Sequence, residues 1–218
     1  MSLEAVKARI TSAAERAGRR PDSVRLVVVT KGQTPTAIKR LYEQGQREFG
    51  ENRAQELAAK VDQLPGDVVW HFVGPLQTNK VRMVRPVVTL LHSLDREDLI
   101  PAWVKGPGSP PPALVQVRIG GEAQKHGVDP EEAVGLCEQA QAAGIEVAGV
   151  MTIPPVVGRS EEARPFFDQL VAVSQAVGKS LPRAREISMG MTDDFEVAIA
   201  AGATIVRIGR AIFAEMPN

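Results

Sequence analysis

The chain of 218 residues is 44% hydrophobic and 24% charged, enough apolar material for a packed core and too much for a disordered segment. Its 26 Lys and Arg balance its 26 Asp and Glu, and aromatic residues make up only 4%, so both the basic excess and the stacking surface of a nucleic-acid binder are missing. A single cysteine, Cys137, excludes an internal disulfide and a Cys-rich metal site and fits a reducing compartment. Apolar runs such as Leu26–Val29 are too short to cross a bilayer, and the amino terminus lacks the apolar core of a signal peptide. A soluble, cytoplasmic protein is expected.

Residues 2–17 place Leu3, Val6, Ile10, Ala13, Ala14 and Ala17 on one face, and Gly18 follows, which predicts an amphipathic opening helix. Leu26–Thr30 is β-branched and apolar on both faces, as in a parallel strand covered on both sides. Thr34-Pro35 opens a helix with Ile38, Leu41 and Tyr42 on its stripe, ended by Gly45. The alternation continues with a short strand at 47–50 and a helix bearing Ala54, Leu57, Ala58 and Val61. A strand at 70–73 precedes a helix at 77–84, and a strand at 88–92 precedes a helix capped by Asp95. Lys105–Pro112 is too rich in Pro and Gly for regular structure and reads as a loop. Strands at 113–119, 145–152, 185–188 and 204–208 follow. Their helices open at Asp129-Pro130, carry Phe166, Phe167 and Leu170, span 193–201 with Asp193-Asp194 at the cap, and turn from Arg210. About eight strand–helix units of roughly 27 residues each predict one (β/α)8 barrel over 1–218 with an extra amino-terminal helix. A doubly wound open sheet is the alternative, but no G-x-G-x-x-G follows the first strand.

In such a barrel, chemistry sits at the carboxyl ends of the strands. Those ends hold Lys31, Glu51 and Asn52, the 74–80 loop, His92 and Ser93, the 188–192 segment, and Arg207-Ile208-Gly209-Arg210. If Val27 and Val29 point inward, alternation sends Lys31 inward as well, where desolvation would make its amine a Schiff-base nucleophile; a lysine leaving the strand for solvent is the default alternative. Gly209-Arg210-Ala211 opens a helical turn at the habitual phosphate position of this fold, with Ser188 and Gly190 next door, and an ordinary glycine turn is the alternative. Arg207 points inward if Val206 and Ile208 face the helices, and a salt bridge to an inward carboxylate such as Glu51 would explain it structurally. His71 and His92 on apolar strands are expected to be satisfied core residues, and three histidines without HxH or HExxH spacing make no metal site.

The segments VVVTK (27–31), FGENRAQE (49–56), WHFVGPLQTNK (70–80), HSLD (92–95), QVRIGGEAQKHG (116–127), GVMTIP (149–154) and SMGMTDDFEVAIAAGATIVRIGRAIF (188–213) resemble the YggS/PROSC family of pyridoxal 5′-phosphate homeostasis proteins. The resemblance implies a barrel like that of alanine racemase, with pyridoxal phosphate held as an imine on Lys31. It places Asn52 beside the cofactor, Ser188, Gly190 and the Gly209-Arg210 backbone on the phosphate, Arg207 on the pyridine nitrogen, and Lys125 near the mouth. Arg210 stands where the family usually has Thr or Ser, Ala214 where Gly is usual, and Arg118 where Asn is common.

A ring-nitrogen partner that only donates keeps that nitrogen unprotonated and weakens carbanion stabilisation. The one tyrosine, Tyr42, lies on a helix stripe rather than where a second base would stand, and the length leaves no room for the second domain of the related racemases. The expected function is a carrier and buffer of the cofactor, a monomer serving vitamin B6 and amino-acid homeostasis and handing cofactor to apo-enzymes. No catalytic residue, nucleic acid or membrane partner is expected. The alternatives are an amino-acid racemase or lyase of the same fold, and a Lys31 aldolase acting on sugar phosphates.

Overall fold

The computed structural model describes residues 1–121 and 126–215. Helix α1 (Leu3–Arg16) starts at Ser2, whose side chain accepts from the Ala5 N–H at 3.1 Å, and it buries Leu3, Val6, Ile10, Ala13 and Ala14. After it come β1 (Arg25–Val29), α2 (Pro35–Glu43), β2 (Glu48–Glu51), α3 (Ala54–Val61), β3 (Val69–Phe72), α4 (Val81–Val84), β4 (Leu90–Leu94), α5 (Leu99–Val104) and β5 (Ala113–Gln116). The chain finishes with α6 (Ala133–Ala142), β6 (Val147–Met151), α7 (Arg164–Ser180), β7 (Glu186–Ser188), α8 (Phe195–Ala201), β8 (Ile205–Ile208) and α9 (Arg210–Phe213). All eight strands pair in parallel in sequence order, and β8 closes on β1 through Val28↔Ile208. Closure rules out the open-sheet alternative.

Period-two alternation divides the strands between two cores. Val28, Phe49, Trp70, Phe72, Leu91, Val115, Val206 and Ile208 pack outward beneath the helices. Val27, Leu90, Leu114, Met151 and Ile205 fill the lumen. The 105–112 loop is pinned by one buried side chain: Arg85 donates to the carbonyls of Trp103, Pro107 and Gly108 at 2.7 to 2.8 Å. Cys137 is buried on α6, where desolvation pushes its thiol up to about 12. Among the described residues no helix is long and apolar enough to cross a membrane.

Several boundaries differ from the sequence reading. Strand β4 begins at Leu90 rather than Val88, because the Val87 and Val88 N–H groups close a turn onto the Val84 carbonyl. This moves His92 and Ser93 from the strand's end to its middle. Strands β5 and β6 are trimmed, and the 77–84 helix splits into a 3-10 turn at Thr78–Lys80 followed by α4. Two caps lie elsewhere than expected. Asp95 pairs with Arg96 at 2.5 Å and with His126 at 3.3 Å, and α5 starts after Asp98. Helix α6 starts after Glu132, while Asp129 binds Arg118 at 2.7 Å. Asp194 does hold the N-cap position of α8, although its side chain accepts from the Met191 N–H at 2.6 Å rather than from the first turn, and Asp193 pairs with Arg210.

Candidate functional site at the carboxyl mouth of the barrel

Strand β1 ends at Val29, and Thr30–Gln33 form a turn closed by Gln33 N–H donating to the Thr30 carbonyl at 3.0 Å, with Gly32 at φ +69°. Lys31 occupies the corner of that turn and is exposed. The turn ends the alternation before it reaches Lys31, so the expected burial of its amine is not found. The amine instead stands at the barrel mouth.

The register ends at Val29↔Gly50, so Lys31 and Asn52 both follow the carboxyl ends of the adjacent strands β1 and β2. Asn52 is half-buried, and its Oδ1 is a buried acceptor with no partner among the described residues. On the other side of β1, a side chain at Gly209 would meet the Val29 carbonyl oxygen at 2.4 Å, so only glycine lets β8 turn so close to the Lys31 strand. Gly190, at φ +91°, faces the same restriction, since a Cβ there would lie 2.6 Å from the Ala198 Cβ.

Arg207 does point inward and is buried, but it meets no carboxylate among the described residues. Its Nη1 donates to Ser188 Oγ at 2.5 Å and its Nη2 to the Thr152 carbonyl at 2.8 Å. Glu51 shares the parity of Phe49 and therefore faces outward, where it binds Lys60 and accepts from Thr30 Oγ1 at 2.6 Å. Burial lowers the Arg207 guanidinium to about 10, partly offset by Asp194, which leaves it charged near neutral pH. The Arg210 guanidinium pairs with Asp193 at 2.6 Å, with both side chains exposed. Lys125 lies outside the described residues.

Four lumen side chains extend inward from Arg207. Because a guanidinium only donates, Ser188 Oγ accepts from it and can give its own proton to His92 Nδ1, 2.9 Å away. His92 Nε2 then meets His71 Nδ1 at 2.9 Å. His71 Nε2 lies 3.2 Å from Glu48 Oε2, close enough to pair but out of line for a hydrogen bond. The histidines are thus core residues, and among the described residues no group of His, Cys, Asp and Glu could hold a metal. What the sequence reading missed is that they link the Arg207 end of the lumen to its amino-terminal end.

Burial, with His71, Arg207 and Arg25 adding to it, holds the His92 imidazole well below its usual range. Its pKa is therefore lower in the folded chain than in the unfolded one, where it is about 6.5. As pH falls below that value, the unfolded chain takes up a proton that the native one refuses. The stability present above about pH 6.5 should fall by up to ~1.4 kcal/mol per pH unit. Urea midpoints between pH 7 and 5 should show a shallower slope in His92→Gln; identical slopes would contradict this.

A closed parallel barrel with a mouth lysine, a glycine-lined turn after β8 and a lumen arginine defines the class of lysine-bearing (β/α)8 barrels. More specifically, the chain matches the family described as "Alanine racemase, N-terminal domain" over residues 1–217 and belongs to it, among the pyridoxal phosphate homeostasis proteins. It is 41% identical to the pyridoxal phosphate homeostasis protein of Aquifex aeolicus, covering 98% of this chain and 96% of that protein. Among solved structures, one described as an unknown protein from Bifidobacterium adolescentis superposes with a TM-score of 0.91 at 36% identity, covering 96% of this chain and 92% of that one. PipY of Synechococcus elongatus with PLP bound superposes with a TM-score of 0.80 at 32% identity, covering 95% of this chain and 99% of that one.

Proposed function

We propose that this chain, a single barrel domain over 1–218, binds pyridoxal 5′-phosphate at the mouth and carries and buffers it on Lys31. In this reading it serves vitamin B6 and amino-acid homeostasis as a cytoplasmic monomer without substantial turnover and supplies PLP-requiring apo-enzymes. The residues suit the group. Lys31 offers an exposed amine, Asn52 an orphaned acceptor for a ligand O–H, and Gly190, Gly209 and the Arg210 N–H a close backbone approach for phosphate. Ser188 is already committed to Arg207 and His92, so its contribution is to hold Arg207 in place. Ile153 and Val156 are the only large hydrophobics exposed among the described residues, which agrees with a monomer.

The observation that carries the non-catalytic reading is Arg207. The cofactor supplies an electron sink that works best with its ring nitrogen protonated. A buried, charged guanidinium donates at that position and holds the nitrogen in its acceptor form. Tyr42 donates to Asp67 at 2.6 Å, and Asp67 precedes β3, which places that hydroxyl at the end of the barrel opposite the mouth. It cannot oppose Lys31 across the site.

The test is deuterium exchange at Cα of added amino acids, followed by NMR with the cofactor-loaded protein. Exchange no faster than with free cofactor is expected. Exchange well above that background would replace the carrier with a racemase or lyase. A protein that never turns yellow on loading would favour the aldolase alternative.

A further inference from the structure

The turn that bears Lys31 is fastened from beneath by a buried charge cluster on the outer side of the barrel. Lys60 on α3 is 5% exposed and Glu51 is fully buried. Lys60 Nζ pairs with Glu51, donates to the Thr30 carbonyl at 2.9 Å and lies 3.3 Å from Glu56 Oε2. Glu56 Oε2 in turn accepts from the Gly32 N–H at 2.8 Å. The Thr30 carbonyl belongs to the peptide before Lys31, and the Gly32 N–H to the peptide after it. A single i,i+4 pair on one helix therefore grips both peptides that flank the Lys31 Cα, while Thr30 Oγ1 ties the same turn to Glu51.

A buried ion pair is a poor choice for stability alone, because desolvation offsets most of its attraction. A cluster of this kind does fix a backbone. An amine at the corner of an exposed turn would otherwise sample many positions, and misplacement by about 1 Å can slow a bond-forming step roughly a hundredfold. We propose that Lys60 and Glu56 are positioning residues that hold the Lys31 turn so that its amine meets an aldehyde anchored elsewhere in the mouth. This inference rests on the reading of Lys31 as the attachment point. Attachment forms a C=N bond between the Lys31 nitrogen and the aldehyde carbon, and the aldehyde oxygen leaves as water.

The test compares two ligands. Pyridoxal phosphate can condense with Lys31, whereas pyridoxine 5′-phosphate, which has an alcohol in place of the aldehyde, reports only non-covalent anchoring. Glu56→Ala removes the acceptor for Gly32 from a partly exposed site, and Glu56→Gln keeps one. Lys60→Met combined with Glu51→Gln removes the buried charges together and leaves neither unpaired. In Glu56→Ala and in the double variant, the rate of imine absorbance growth should fall about tenfold or more. Pyridoxine phosphate affinity should stay within about twofold, and Glu56→Gln should recover most of the rate. Rates within twofold of wild type in both variants, with Lys31 still the residue labelled by borohydride, would overturn the clamp alone. Parallel losses of rate and of pyridoxine phosphate affinity would also overturn it, since they would mean general loosening of the mouth. Borohydride labelling of another residue in the wild type would overturn the Lys31 reading, and the clamp with it.

Discussion

Replacing Lys31 with alanine is expected to abolish the imine absorbance and borohydride labelling of the loaded protein while leaving a weaker, reversible complex. The covalent and non-covalent parts of the proposed site rest on different strands. Lys31 sits on the turn after β1, whereas Gly190, Arg207 and Gly209 belong to the ends of β7 and β8. Removing an exposed side chain from a turn corner leaves the glycine cradle and the buried arginine intact. Loss of the covalent bond should weaken retention roughly a hundredfold, about 2.7 kcal/mol. Folding stability should change by less than about 0.5 kcal/mol, as for other exposed positions. Spectra, equilibrium dialysis and a urea melt of the same preparation separate these effects. A persistent yellow band in the variant would move the attachment to another lysine.

The barrel could be read from sequence because its signals are local. Strands such as Leu26–Val29 and Ile205–Ile208 are short β-branched runs and helices such as α1, α2, α6 and α8 are apolar stripes ended by glycine, so the repeat shows in the sequence while closure of the sheet shows only in the pairing of β8 with β1. The direction of Arg207 was legible too, since Val206 and Ile208 on either side had to face the helices. Features that depend on register between strands were not. Nothing in the spacing of His71, His92 and Ser188 shows that three strands bring both His71 and Ser188 to 2.9 Å from His92. Lys60 was not singled out at all, because helix periodicity cannot show a side chain reaching under the barrel rim to a backbone carbonyl. Alternation placed Lys31 inside only by running through Lys31-Gly32, where a glycine at positive φ turns the chain. The caps at Asp95 and Asp129 failed for a related reason: Asp95 found an arginine and a histidine and Asp129 an arginine, each of which competed with the helix end.

Arg207→Glu should change the chemistry of the site more than any other single substitution while leaving Lys31 untouched. The wild-type side chain satisfies the Ser188 hydroxyl and the Thr152 carbonyl from inside the lumen, and a carboxylate would face both as an acceptor. The Thr152 carbonyl would lose its charged donor, with a destabilisation of about 2–4 kcal/mol. Ser188 could still donate, to the new carboxylate or to His92, so the interior chain would reorient rather than vanish. Arg207→Gln provides the control, because it keeps a donor and carries no charge. In the glutamate variant a bound pyridine nitrogen would gain an acidic partner able to share a proton with it, which strengthens its action as an electron sink. The loaded Arg207→Glu protein should therefore show a shifted absorbance band and measurable Cα exchange on added amino acids, whereas Arg207→Gln should show neither. If the folded glutamate variant matched wild type in both spectrum and exchange, Arg207 would not be the ring partner, and the proposed lack of turnover would need another cause, such as the lack of a group opposite Lys31 that can take the second proton.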